Sequence, residues 1–174
     1  MKTKLYIIPA YEETVKRKSY QEIISAVKEK YEIVPLEANF KKNTLTEILK
    51  KHENIEKNSV IFGFSMGALV AYCLSVKKSF KKAIICSMSP ILGSDAEKIA
   101  ATFFKKEIVA DFKKYSYKKS LAKKLILICG EKEMKELVKR TEYLAKKNEA
   151  KFIKLDNTSH ELSKIYIKEI IKNL

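Results

Sequence analysis

Ser59-Val60-Ile61-Phe62-Gly63-Phe64-Ser65-Met66-Gly67-Ala68-Leu69 is the stretch whose reading decides the fold. Residues 59–63 form a short apolar run of the kind found in a strand buried on both faces. From Met66 to Val76 the chain is so apolar that a helix there must be buried too. Between the two, Gly63-Phe64-Ser65-Met66-Gly67 follows a G-x-S-x-G pattern. A serine forced onto so sharp a strand-to-helix turn adopts a strained backbone and projects its hydroxyl outward. The residues two before and two after it must be small, because strand and helix backbones approach closely there. The turn also aims the helix N-terminus, and the amide of Met66, at whatever binds beside Ser65. The competing reading is tight packing of a buried helix on its strand.

Outward from this junction, short apolar runs alternate with amphipathic stretches to both ends of the chain. The pattern predicts strands at residues 4–8, 31–35, 59–63, 82–86, 124–129 and 151–155, the second stopped by Pro35. It predicts helices at 19–30, 44–57, 66–76, about 95–113, 132–147 and 161–174, with Thr44 and Glu47 spaced for a capping box. Several strands read as continuous apolar runs rather than as in/out alternation. That is the mark of a parallel sheet covered on both faces, a three-layer α/β sandwich. No repeat, low-complexity linker or composition break divides the chain, so residues 1–174 are expected to form one α/β domain.

Composition narrows the function classes. The chain has 174 residues, 46% hydrophobic and 33% charged, too apolar for disorder, and its four glycines exclude a glycine-rich fibre. Apolar runs such as Leu125–Cys129 fall far short of the roughly 20 residues of a membrane span. The apolar run in MKTKLYIIPAYEE lacks the longer core and small-residue cleavage site of a secretory signal. Cys73, Cys86 and Cys129 are odd in number, widely separated and set in apolar runs. Reduced core thiols fit them better than disulfides or a zinc site, which points to the cytoplasm. A net charge of +15 raises nucleic acid as a partner. Yet only Arg17 and Arg140 are arginine, the residue that base and phosphate recognition favours, and the lysines are spread along the whole chain. The charge therefore reads as a lysine-rich solvated surface with no specific nucleic-acid partner. The densest run, Lys105 to Lys124, interleaves aromatics and leaves weak, salt-sensitive polyanion association as an alternative.

With Gly63-Phe64-Ser65-Met66-Gly67 set between strand and helix, the chain resembles the α/β-hydrolase family over nearly its whole length. Gly130-Glu131-Lys132-Glu133 follows the fifth strand, where the family usually carries G-x-x-D with its acid. Ser159-His160-Glu161 follows the sixth strand just before the terminal helix, where the family keeps its histidine. The order Ser65, Glu133, His160 is also the family's. The resemblance implies a minimal family core without the first two strands, with sheet order 2-1-3-4-5-6. It implies no lid domain, since Ser87–Lys123 leaves room for one helix and a basic connector. In that order the sheet reverses between strands 1 and 3, and ligands of open α/β sheets bind at such a switch point, beside Ser65.

The resemblance further implies a carboxylic-ester-hydrolase-like serine hydrolase that acts on a small ester, thioester or amide through an acyl-enzyme. Ser65 would be the nucleophile, His160 its general base, and Glu133 the acid of the triad. Asp95, after the fourth strand, is the rival acid. His52, in a polar helix end, is poorly placed as a base. The plain reading of His160 is an exposed loop histidine, and that of Glu133 is an acid suited to a helix's first turn. Beside the Met66 amide, the second oxyanion donor should be the amide of Ala10 or Tyr11. The family often has His-Gly in that loop, and this chain has no glycine there. Glu12 and Glu13 would oppose an oxyanion if they pointed inward. No cofactor and no metal enter this reading, and the expected partner is a small-molecule acyl substrate. The residues specify no oligomeric state. The missing loop glycine, the Glu in place of Asp and the lysine-rich surface motivate a second reading. In it, the chain is a catalytically weak or inactive binding or scaffold protein that keeps the fold.

Overall fold

Six parallel strands lie side by side in the computed structural model, which describes residues 2–93 and 106–174. They are β1 (Thr3–Ile8), β2 (Tyr31–Pro35), β3 (Val60–Phe64), β4 (Lys82–Cys86), β5 (Leu125–Gly130) and β6 (Lys151–Leu155). Their order across the sheet is β2-β1-β3-β4-β5-β6, as the family resemblance implies. The register pairs Ile8 with Gly63 and Phe64 with Cys86, so the ends of β1, β3 and β4 arrive together where the order reverses.

Side chains alternate between faces along each strand, and both faces are covered. Leu5, Ile7, Val60, Phe62, Ile84, Cys86, Ile126 and Ile128 face α1 (Lys18–Val27) and α6 (Lys164–Asn173). Tyr6, Ile8, Ile61, Ala83, Ile85, Leu125 and Leu127 face the other layer. That layer holds α2 (Leu45–Lys51), α3 (Met66–Lys77), α4 (Lys106–Phe112) and α5 (Lys135–Asn148). Double coverage is why the central strands carry no polar alternation. Each fully buried Ile, Leu or Phe side chain contributes on the order of 2 kcal/mol. Helix α3 is buried from Met66 to Ser75, because it packs on β3 and β4 while α2 covers its outer side. The edge strand β6 shows the opposite pattern, with Lys151 and Lys154 exposed.

Helix ends differ from the expectation in several places: α1 stops at Val27 rather than at 30, and α5 begins at Lys135 rather than at 132. The predicted 44–57 helix keeps its capping box, with the Thr44 amide donating to Glu47 Oε2 at 2.7 Å, but it stops at Lys51. There His52 turns away and donates its Nε2–H to the Glu37 carbonyl at 2.8 Å. Ile55 still reaches the core, delivered by the turn at residues 52–54 rather than by a helix face. The last helix begins at Lys164, because the Glu161 and Ser163 amides bond back to Ser159 and Glu161 and hold this stretch as a loop. Of the helix expected at about 95–113, residues 106–113 fall among the described residues, and Lys106–Phe112 of these are helical. That piece is tied to α2 by Asp111, which accepts from the Thr46 amide at 2.7 Å and the Thr46 hydroxyl at 2.5 Å. Among the described residues, no helix is long and apolar enough to cross a membrane.

Candidate active site

Ser65 follows β3 directly and caps α3 with φ 55° and ψ −119°. A non-glycine residue in that region carries roughly 1–3 kcal/mol of strain and persists only where its surroundings enforce it. Here the Ser65 amide is fastened to the Cys86 carbonyl at 2.9 Å. The two flanking glycines admit the close approach. A Cβ on Gly63 would stand 2.8 Å from the Ala68 Cα, and one on Gly67 would stand 2.7 Å from the Ile8 carbonyl carbon. Met66, opening α3, has its amide in the first turn, where N–H groups lack an intrahelical acceptor.

The loop after β6 brings His160 to this turn. His160 Nε2 lies 2.9 Å from Ser65 Oγ, and its ring packs beside Phe64 with centroids 5.6 Å apart. Its other nitrogen, Nδ1, lies 2.9 Å from Glu133 Oε2. The His160 side chain is 44% exposed, whereas that of Glu133 is 0% exposed. The structure thus brings Ser65, His160 and Glu133 into one hydrogen-bonded chain. Asp95, the rival acid, lies outside the described residues.

Glu133 is buried without being stranded. Its Oε1 accepts from the Gly130 amide at 2.7 Å and from the hydroxyls of Ser87 and Tyr166, which lie 2.7 Å from each other. Burial is the largest single influence and pushes the Glu133 carboxyl up. Hydrogen bonds from His160, Ser87, Tyr166 and Gly130 together outweigh it and hold the group below its ordinary value. Burial, and then Glu133 itself, push the Tyr166 phenol far up, so it remains a donor. Ser87 and Tyr166 are absent from the sequence reading. Nothing in the sequence marks either one: Ser87 simply follows β4 in Ser87-Met88-Ser89-Pro90, and Tyr166 lies on the apolar stripe of α6.

In the loop after β1, one of the two amides expected as an oxyanion donor is already engaged. The Ala10 amide donates to the Tyr20 hydroxyl at 3.0 Å, and that hydroxyl donates to Glu13 Oε2 at 3.0 Å. Arg17 also pairs with Glu13, and Lys41 pairs with Glu12 at 2.8 Å. Tyr11 packs partly buried against the core, at the rim of a cavity of about 520 Å³ between the loops after β1 and β2. A second cavity, of about 580 Å³, opens on His160 between Phe64, Arg17 and the start of α6.

No protein-family model matches the chain, and no curated protein matches it in sequence. Solved structures do. The mouse α/β hydrolase domain-containing protein 10 superimposes with a TM-score of 0.75 at 12% identity, over 99% of this chain and 89% of that one. Est1E from Butyrivibrio proteoclasticus gives 0.73 at 13% identity, over 99% and 85%. A lipase-esterase related protein from Clostridium acetobutylicum gives 0.68 at 16% identity, over 98% and 92%. Thioesterases are also among the matches. At these identities the likeness establishes the fold: the chain has the α/β-hydrolase fold.

Proposed function

We propose that the chain is a serine hydrolase that cleaves a small ester, thioester or amide through an acyl-enzyme. The observation that carries this is the unbroken contact chain from Ser65 Oγ through both His160 nitrogens to a buried carboxylate. Glu133 Oε2 accepts the Nδ1 proton of His160, which leaves the Nε2 lone pair facing the Ser65 hydroxyl. As the Ser65 oxygen bonds to the substrate carbonyl carbon, its proton passes to Nε2. The carbonyl oxygen gains negative charge beside the Met66 amide, and Glu133 offsets the charge gained by the imidazole. Collapse expels the leaving group, which takes the proton from His160. Water then repeats the sequence, releasing the acid and restoring Ser65. Esterases and thioesterases among the structural neighbours agree with this reaction class.

A fluorophosphonate probe tests the proposal. Labelling at Ser65 that disappears in Ser65→Ala, together with turnover of short acyl esters or thioesters, is the expected result. Folded protein that neither labels nor turns over would overturn it. That outcome would leave the second reading, a binding protein that kept the fold, which the engagement of the Ala10 amide by Tyr20 favours.

A further inference from the structure

Glu133, Ser87 and Tyr166 make a closed triangle of oxygens inside the protein. Each hydroxyl reaches Glu133 Oε1, and the two hydroxyls stand 2.7 Å apart. Ser87 and Tyr166 are each 0% exposed, so water does not replace either one. Each hydroxyl carries one proton, which leaves two protons for three contacts. Whichever way the hydroxyls rotate, at least one proton ends on Oε1, alongside the Gly130 N–H at 2.7 Å. A carboxylate in so dry a site needs such donors to stay ionised. Because Oε1 is saturated in this way, Oε2 is the oxygen left for His160 Nδ1.

Two details indicate that the arrangement is specific. Ser87 sits at φ 50°, a conformation costly for a non-glycine residue, and its backbone N–H donates to the Ile128 carbonyl at 2.8 Å, which holds it there. Tyr166 meets Phe64 edge-on at 5.5 Å between centroids, and Phe64 in turn packs on the His160 ring. The same tyrosine therefore bounds the carboxylate and, through Phe64, the imidazole it orients.

We infer that Ser87 and Tyr166 are positioning residues for the proposed reaction, a hydroxyl pair that keeps Glu133 ionised and its Oε2 aimed at His160. This rests on the hydrolase reading above for its kinetic consequences, though not for its structural ones. Tyr166→Phe removes one hydroxyl at constant ring shape. Ser87→Gly removes the other and suits the positive φ, so the backbone is not strained by the change.

The test takes both variants and the double variant. Short-chain p-nitrophenyl esters give kcat, KM and the pH profile, and proton NMR follows the His160 Nδ1–H resonance, with His52→Gln for assignment. Loss of one hydrogen bond to a charged group is expected to lower kcat about tenfold in each single variant. KM should be unchanged, and the acid limb of the profile should move to higher pH as Glu133 becomes easier to protonate. The double variant should lose more than the product of the single losses, because either hydroxyl alone still supplies Oε1 with a proton. The Nδ1–H resonance should shift or broaden in all three. A parent that labels at Ser65, with variants matching its kcat, pH profile and Nδ1–H resonance, would overturn the positioning role and leave the hydrolase reading standing. If the parent neither labels nor turns over while the resonance still responds to the variants, the hydrolase reading falls and the hydroxyl pair stands. An unchanged resonance in Ser87→Gly, the variant least exposed to misfolding, overturns the inference whatever the activity.

Discussion

Glu133→Gln separates a contact chain of the right chemistry from one of merely the right shape. The glutamine amide is nearly isosteric, so the question is which end of it faces the donors. At the position of Oε1 the Gly130 amide arrives at 2.7 Å, with the Ser87 and Tyr166 hydroxyls beside it. An amide NH2 placed there would oppose donor to donor, so the glutamine oxygen must take that place. Its NH2 then faces His160 Nδ1, 2.9 Å away in the parent. Nδ1 must now accept, the imidazole proton moves to Nε2, and Nε2 loses the lone pair that faced Ser65. The wrong tautomer costs about 10⁴ in kcat in the serine-triad template, on the order of 5 kcal/mol of transition-state stabilisation. Hydrolysis of p-nitrophenyl esters reads the loss directly, with Ser65→Ala as the floor. A Glu133→Gln protein that keeps kcat within about tenfold of the parent would refute the reasoning. Stability supplies an independent reading. The folded Glu133 carboxyl lies below its ordinary value of 4.5, so between those two values the unfolded chain holds the proton and the folded chain does not. Stability therefore rises with pH across that window. Whatever advantage the parent has from this carboxylate is complete above the ordinary value and fades as pH falls through the folded one. Urea unfolding of parent and variant near neutral pH and in acid should show that difference shrinking.

Gly67→Ala is expected to destabilise by about 3 kcal/mol or more, read as a lower urea midpoint, because its Cβ would meet only backbone of Ile8 and Pro9. Asp111→Ala removes the acceptor of the Thr46 amide and hydroxyl and the partner of Lys114. It should cost about 1–3 kcal/mol in the same assay while leaving the rate of Ser65 labelling unchanged. Burial pushes the thiols of Cys73 and Cys129 up to about 12 and that of Cys86 well above its ordinary value. Iodoacetamide in mildly alkaline buffer should leave all three unmodified in folded protein and alkylate all three in denaturant.

The sheet was legible because its strands are buried on both faces, and a run such as Leu125-Ile126-Leu127-Ile128-Cys129 has few other readings. The serine turn was legible because its geometry needs small residues at fixed spacing, and only glycine meets the approach at 63 and 67. Helix ends were less so. Ile55 continues the apolar spacing of α2 yet reaches the core from a turn, since spacing records which residues are buried and not the backbone that buries them. The partners of the carboxylate were not legible at all. Tyr166 belongs to the apolar stripe of α6 together with Ile167 and Ile170, and a phenol that donates to a buried acid has the same one-dimensional pattern as one that only fills space.

The loop after β1 shows where a sequence objection was sound in its parts and misplaced in its consequence. Glu12 and Glu13 threatened a developing oxyanion, but each carboxylate is already committed, Glu12 to Lys41 and Glu13 to Arg17 and the Tyr20 hydroxyl. Their charge is offset before any substrate arrives. The obstacle comes instead from what holds Glu13 in place. Tyr20 gives its proton to Glu13 and accepts from the Ala10 amide, so the ion pair that disarms the loop also turns away one of its N–H groups. Burial drives the Tyr20 phenol up to about 12, which keeps this latch closed across the working pH range. With the Ala10 amide so engaged, the proposed reaction would draw on the Met66 amide and, for its second donor, on the other amide considered in this loop, that of Tyr11. A missing oxyanion donor costs about 10²–10³ in kcat. For the proposed hydrolase, the placement of the Tyr11 amide therefore decides whether a loss of that size, comparable to that of a positioned general base, applies.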